Sequence, residues 1–110
     1  MKVSRLAEIL NAEIINLSED REIETGYCGD FLSFAMSRLP SNSAWFTVMS
    51  NANVAAVAVL TEAAAIVVCE NVRPDENLSA RCKTEGLNLL IVAYPAYECA
   101  VKLSQALKNE

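Results

Sequence analysis

Histidine is absent from these 110 residues, and its absence removes more chemistry than any motif adds. Without an imidazole there is no Ser–His or Cys–His pair to activate a nucleophile. The four cysteines, Cys28, Cys69, Cys82 and Cys99, show no Cys-x-x-Cys spacing, so the close ligand pairs of a zinc or iron–sulfur site are missing as well. No metal and no cofactor are expected. Glycine and proline number three each, which argues against a disordered or linker-rich chain. The longest apolar tract, Val54 to Cys69, is broken by Thr61-Glu62 and falls short of the ~20 residues a membrane-spanning helix needs. Nine basic residues stand against 14 acidic ones, for a net charge of −5, and the bases are scattered. Replacing phosphate counterions takes clustered Lys and Arg, so nucleic acid is not an expected partner, and neither is a membrane. The opening MKVSRLAEILNAEIINL has no uninterrupted apolar core, because Arg5, Glu8, Asn11 and Glu13 punctuate it. That pattern leads to the expectation of a cytoplasmic protein with reduced thiols.

What is present is a strongly hydrophobic chain, 53% apolar, of a length that suits one domain over residues 1–110. Val3, Leu6, Ala7 and Leu10 recur at helical spacing. Short strands are expected at about 13–17 and 23–28, then a helix over 31–39 with Asp30 as its N-cap. AWFTVM at 44–49 reads as strand, and 52–61 as helix, with VAVL as a competing strand. AAIVVC at 64–69 and NLLIVA at 88–93 are continuous apolar runs of the kind found in central strands. Between them lies a helix with Pro74 at its start and Gly86 as its stop, and a last helix follows Pro95. From residue 44 the order β-α-β-α-β-α requires right-handed crossovers. The expected class is α/β, a three-layer sandwich with a mostly parallel central sheet flanked by helices.

In an open parallel sheet, ligands bind beyond the C-terminal ends of the strands, where helix N-termini also point. The residues expected there are Gly29, Asn51, Asn53, Asn71 and Arg73, a candidate set for a small anionic ligand or nucleotide. The Gly-Tyr-Cys-Gly-Asp stretch at 26–30 lacks the Lys and Ser/Thr of a phosphate-binding P-loop, and Asp30 brings negative charge instead. Glu19-Asp20 and Asp75-Glu76 are read as solvated pairs. No catalytic residue is expected.

Several stretches together resemble a DRTGG domain: VSRLAEILNAEIIN at the start, ETGYCGDFLSFAM as the strand–loop–helix step, then WFTVMSNANVAAVAVLTEAAAIVV and GLNLLIVAYPAYECA. The likeness is greatest to free-standing forms related to the N-terminal, non-catalytic domain of HPr kinase/phosphorylase. It implies a dimerising accessory module of the kind also inserted in some phosphotransacetylases and between the CBS domains of regulatory pyrophosphatases. The chain departs from the family at its name-giving residues. Ser50-Asn51-Ala52-Asn53 stands where the family has its DRT stretch, and Glu70-Asn71 where it has its glycine pair.

A helix beside a sheet in a monomer normally shows a charged outer face. Ala52 to Leu60 has no charged residue, and 31–39 is nearly as apolar. Phe31, Phe34, Ala35, Val54, Val57 and Ala58 are therefore expected at a homodimer interface, unless neighbouring elements cover them. The function expected is a small non-catalytic regulatory or interaction module acting as a homodimer, with an unidentified protein partner or a small anionic ligand also open.

Overall fold

In the strands at 43–47 and 65–68 every residue is buried. Such runs are stable at the centre of a sheet covered on both faces, and that is where they lie. A computed structural model describes residues 1–110. The chain runs α1 (Val3–Ile9), β1 (Glu13–Asn16), β2 (Thr25–Cys28), α2 (Leu32–Arg38), β3 (Ser43–Thr47), α3 (Asn53–Thr61), β4 (Ala65–Val68), α4 (Glu76–Glu85), β5 (Leu89–Ile91) and α5 (Ala96–Lys108). One five-stranded sheet has the order β1-β5-β4-β3-β2. Strands β2 to β5 are parallel, and β1 joins β5 antiparallel.

Side chains of one strand alternate between faces, so each central strand feeds two cores. Phe46, Val67 and Leu90 meet Val3 and Leu6 of α1, Leu10 just past its end, and Cys99 and Leu103 of α5. Trp45, Ile66 and Leu89 meet Ala35 of α2, Val54 and Val57 of α3, and Leu78 and Cys82 of α4. The result is the expected three-layer α/β sandwich. Helices α2, α3 and α4 lie side by side on one face because every parallel crossover has the same hand. The alternation begins at β2, one unit earlier than its pattern is visible in the sequence, and VAVL is helical.

Two helix starts are served by carboxylates. The Asp75 carboxylate accepts from the Leu78 N–H at 2.8 Å and caps α4, and Gly86 ends that helix at φ +71°. Asp20 accepts from the Ser4 N–H at 2.9 Å and from its hydroxyl at 2.6 Å, so it serves the first turn of α1 from a distant loop. The two acidic pairs read as merely solvated thus each contribute a structural carboxylate. Asp30, expected to do the same for α2, does not cap it. Phe31 holds the N-cap position with no side-chain bond, and Asp30 turns instead to the end of β3. Asn88, buried ahead of β5, donates to the carbonyls of Glu19 and Ala64 and accepts from the Ser18 N–H. It fastens the 18–19 turn to the sheet.

Candidate functional site

The loops at the C-terminal ends of the parallel strands are closed by their own hydrogen bonds. Gly29 donates its N–H to the Phe46 carbonyl at 3.2 Å, and its own carbonyl accepts from the Trp45 indole N–H at 3.0 Å. Asp30 Oδ1 accepts from the Thr47 hydroxyl at 2.7 Å and the Val48 N–H at 2.8 Å. In the next loop Asn51 Oδ1 accepts from the Asn53 N–H at 2.9 Å, and the Ser50 carbonyl accepts from the Asp75 N–H.

The third loop is the most constrained. Glu70 and Asn71 both adopt positive φ, +59° and +57°, and the Val72 N–H closes the turn on the Cys69 carbonyl at 3.2 Å. The Glu70 N–H goes to the Tyr94 carbonyl and the Asn71 N–H to the Val92 carbonyl. Arg73 donates to both carboxylate oxygens of Glu13, at 2.6 and 3.1 Å, and is paired on the surface. Of the five residues expected to hold a ligand, Gly29 and Asn71 have their N–H groups committed and Arg73 is paired. Asn51, Asn53 and Asn71 still present exposed side-chain amides. The order β2-β3-β4-β5 also advances in one direction without reversal, so no crevice opens at a change of strand order.

The expected dimer face divides in two. Ala35, Val54, Val57 and Ala58 are buried within the chain itself. The covering elements are the sheet and the neighbouring helices, since α3 is the middle helix of its layer and touches α2 and α4. These four are corrected from interface to core. Phe31 and Phe34 are exposed, 62% and 49%, with their rings edge-to-face at 5.1 Å and the Arg38 guanidinium over Phe34 at 4.4 Å. Met36, Val59 and Leu60 are exposed on the same layer, and Tyr97 and Val101 on the opposite one.

A groove of about 420 Å³ runs between β2 and α5, bordered by Thr25, Gly26 and Cys28 on one side and Ala100, Ser104 and Lys108 on the other. Sequence reasoning did not reach it. Its only sequence signal is that Thr-Gly-Tyr-Cys, the first strand of the parallel series, carries neither charge nor proline. Gly26 fits closely there, because a Cβ would stand 3.0 Å from Leu103 Cδ2 and 3.2 Å from Phe46 Cε2, tighter than ordinary contact.

Three of the four thiols are held above their ordinary range, and the fourth, Cys99, is lowered by its hydrogen bond with Cys69 but fully buried. Burial pushes Cys28 up and Cys82 up to about 11. A hydrogen bond with Cys99, followed by burial, holds Cys69 well above the ordinary thiol range. Protonated thiols are weak nucleophiles near neutral pH.

No family model and no curated protein matches the sequence. Among solved structures, the chain is similar to the CBS and DRTGG domains of the regulatory region of Clostridium perfringens pyrophosphatase, complexed with its activator diadenosine tetraphosphate. The TM-score is 0.79 at 12% identity, over 96% of this chain and 46% of that one. The fold is DRTGG-like. This chain therefore spans less than half the length of that pyrophosphatase fragment, and at such identity the likeness is one of fold. Within the DRTGG-like fold, the positions where the resemblance puts a glycine pair are Glu70 and Asn71. Their positive φ supplies a physical reason for glycine there. No helix of the DRTGG-like domain is long and apolar enough to cross a membrane.

Proposed function

We propose that this DRTGG-like domain is a non-catalytic regulatory or interaction module that works as a homodimer. The observation that carries the reading is the set of large apolar side chains that Phe31, Phe34 and Met36 turn to solvent at the start of and along α2, where exposed hydrophobes grouped on one element mark an interaction surface. The raised pKa of Cys28, the one exposed thiol, the burial of the other three and the lack of any imidazole base support the non-catalytic part. Dilution calorimetry tests it: injecting concentrated protein into buffer gives a heat of dissociation if a dimer forms. A flat dilution trace at micromolar final concentration counts against it.

A second reading has one observation in its favour. The similar pyrophosphatase region was solved with a nucleotide activator bound. A small anion held by Asn51, Asn53 and Asn71 would make this domain a sensor in the cytoplasm. The committed N–H groups of the 69–72 turn weigh against it. Titration with diadenosine polyphosphates and mononucleotides decides, since only a sensor returns binding heat.

A further inference from the structure

We propose that a second copy of this chain docks along the free edge of β2, so that the two five-stranded sheets join across a two-fold axis into one. This rests on the homodimer reading above and adds where the copies meet.

The backbone states the need. Strand β2 pairs with β3 on one side and has no strand on the other. The Gly29 N–H points to β3, so by strand alternation the Cys28 N–H points to the open side. Natural sheets protect such edges with charge, proline, bulges or a covering element. The opposite edge has these devices: β1 carries Glu13 locked to Arg73, and its register slips between Ile14 and Asn16. Strand β2 has none. Its register against β3 is regular over all four residues, and Thr25, Gly26 and Cys28 are exposed.

The flanks fit an added strand. On one face α2 ends the helical layer at the β2 side, with the exposed Phe31 at its N-cap and the exposed Phe34 in its first turn. On the other, α5 borders the groove with Ala100 and Ser104, small enough for another helix to come close. Tyr97, 78% exposed, stands at one end of this row and Lys108 at the other.

Self-complementarity selects the occupant. An axis through the middle of this row sets Ala100 against the partner's Ser104, and the Lys108 ammonium against the ring of the partner's Tyr97, a favourable cation–π pair. The middle of the row lies by Leu103, whose Cδ2 is the nearest atom to the absent Cβ of Gly26. Gly26 is also at the middle of β2. One two-fold axis therefore satisfies antiparallel β2 pairing and antiparallel α5 packing together, a match that an unrelated peptide would not reproduce.

The test combines hydrogen exchange with two kinds of variant, each checked for folding by circular dichroism. In the wild-type chain, exchange at the Cys28 amide should slow at least tenfold between low-micromolar and near-millimolar protein. Ser104→Glu places an unpaired charge in the contact and should weaken association by about a hundredfold or more. Tyr97→Ala, at a side chain too exposed to matter to folding, should weaken it about tenfold. Leu60→Glu, on α3 and away from this edge, should leave it unchanged. A dimer that survives both Ser104→Glu and Tyr97→Ala at wild-type affinity, or one split by Leu60→Glu, overturns the β2 edge while leaving the homodimer standing. A wild-type chain that stays monomeric at near-millimolar concentration overturns both.

Discussion

Replacing Asp30 by alanine distinguishes two accounts of this residue by size and by coupling. In the fold, Asp30 Oδ1 receives the Thr47 hydroxyl at 2.7 Å and the Val48 N–H at 2.8 Å, while α2 starts from an uncapped Phe31. Thr47 is 1% exposed, so its hydroxyl has no water to turn to, although its oxygen still accepts from the Met49 N–H at 3.2 Å. Stranding a buried donor costs about 1–3 kcal/mol, and a bond to a charged acceptor is worth about 1.5–3 kcal/mol. Val48 N–H lies nearer solvent and can bond water after the change. The expected loss for Asp30→Ala is therefore about 2–4 kcal/mol, at or above the ~0.5–2 kcal/mol of a lost helix cap. Urea denaturation of Asp30→Ala, Thr47→Val and the double variant measures both quantities. With Thr47→Val already in place no hydroxyl is left to strand, and removing Asp30 should cost about 1–2 kcal/mol less than in the wild type. Losses that add within about 0.5 kcal/mol would show that the two residues act independently and would refute the bracket between β2 and β3.

Glu70→Gly should stabilise the fold by about 0.5–1 kcal/mol, because relief of a left-handed φ outweighs the extra freedom of glycine in the unfolded chain. Its melting temperature checks this, and a lower value would contradict it. Gly26→Ala should cost about 1–3 kcal/mol through the contacts with Leu103 and Phe46, read from the same melting curves. The Asp20 carboxyl is held below its usual value, first by the Ser4 hydroxyl and then by the Ser4 amide. A folded pKa below the unfolded one gives stability that is complete above about pH 4 and lost as pH falls through the folded value. The stability gap between wild type and Asp20→Asn should accordingly narrow below about pH 4, and a gap constant down to about pH 2 would remove Asp20 from the account.

The order of elements was legible because apolar runs such as AAIVVC and LLIV can be satisfied only inside a covered parallel sheet. Lateral order was not. Nothing local to Ala52–Leu60 reveals that α3 sits between α2 and α4, so its uncharged surface read as interface when Val54, Val57 and Ala58 are core. Asp30 misled for a related reason. A carboxylate ahead of a helix is equally able to accept from a strand end brought near by tertiary structure, and Thr47 is 17 residues away. The strand-end loops were correctly placed at one edge, but which of their N–H groups stay free depends on partners such as Tyr94 and Val92 that only the fold brings close. Phe31 and Phe34, read from the apolar pattern of 31–39, are exposed on the folded chain, whereas Ala35 of the same stretch is buried. The β2 groove was invisible because an edge is a property of the sheet rather than of its strand.

Sedimentation equilibrium of the purified chain at micromolar concentration tests the central claim most directly. A homodimeric module predicts a weight-average mass near twice the 12.0 kDa of one chain, declining toward it on dilution. A mass that stays at 12.0 kDa across the whole range would contradict the account.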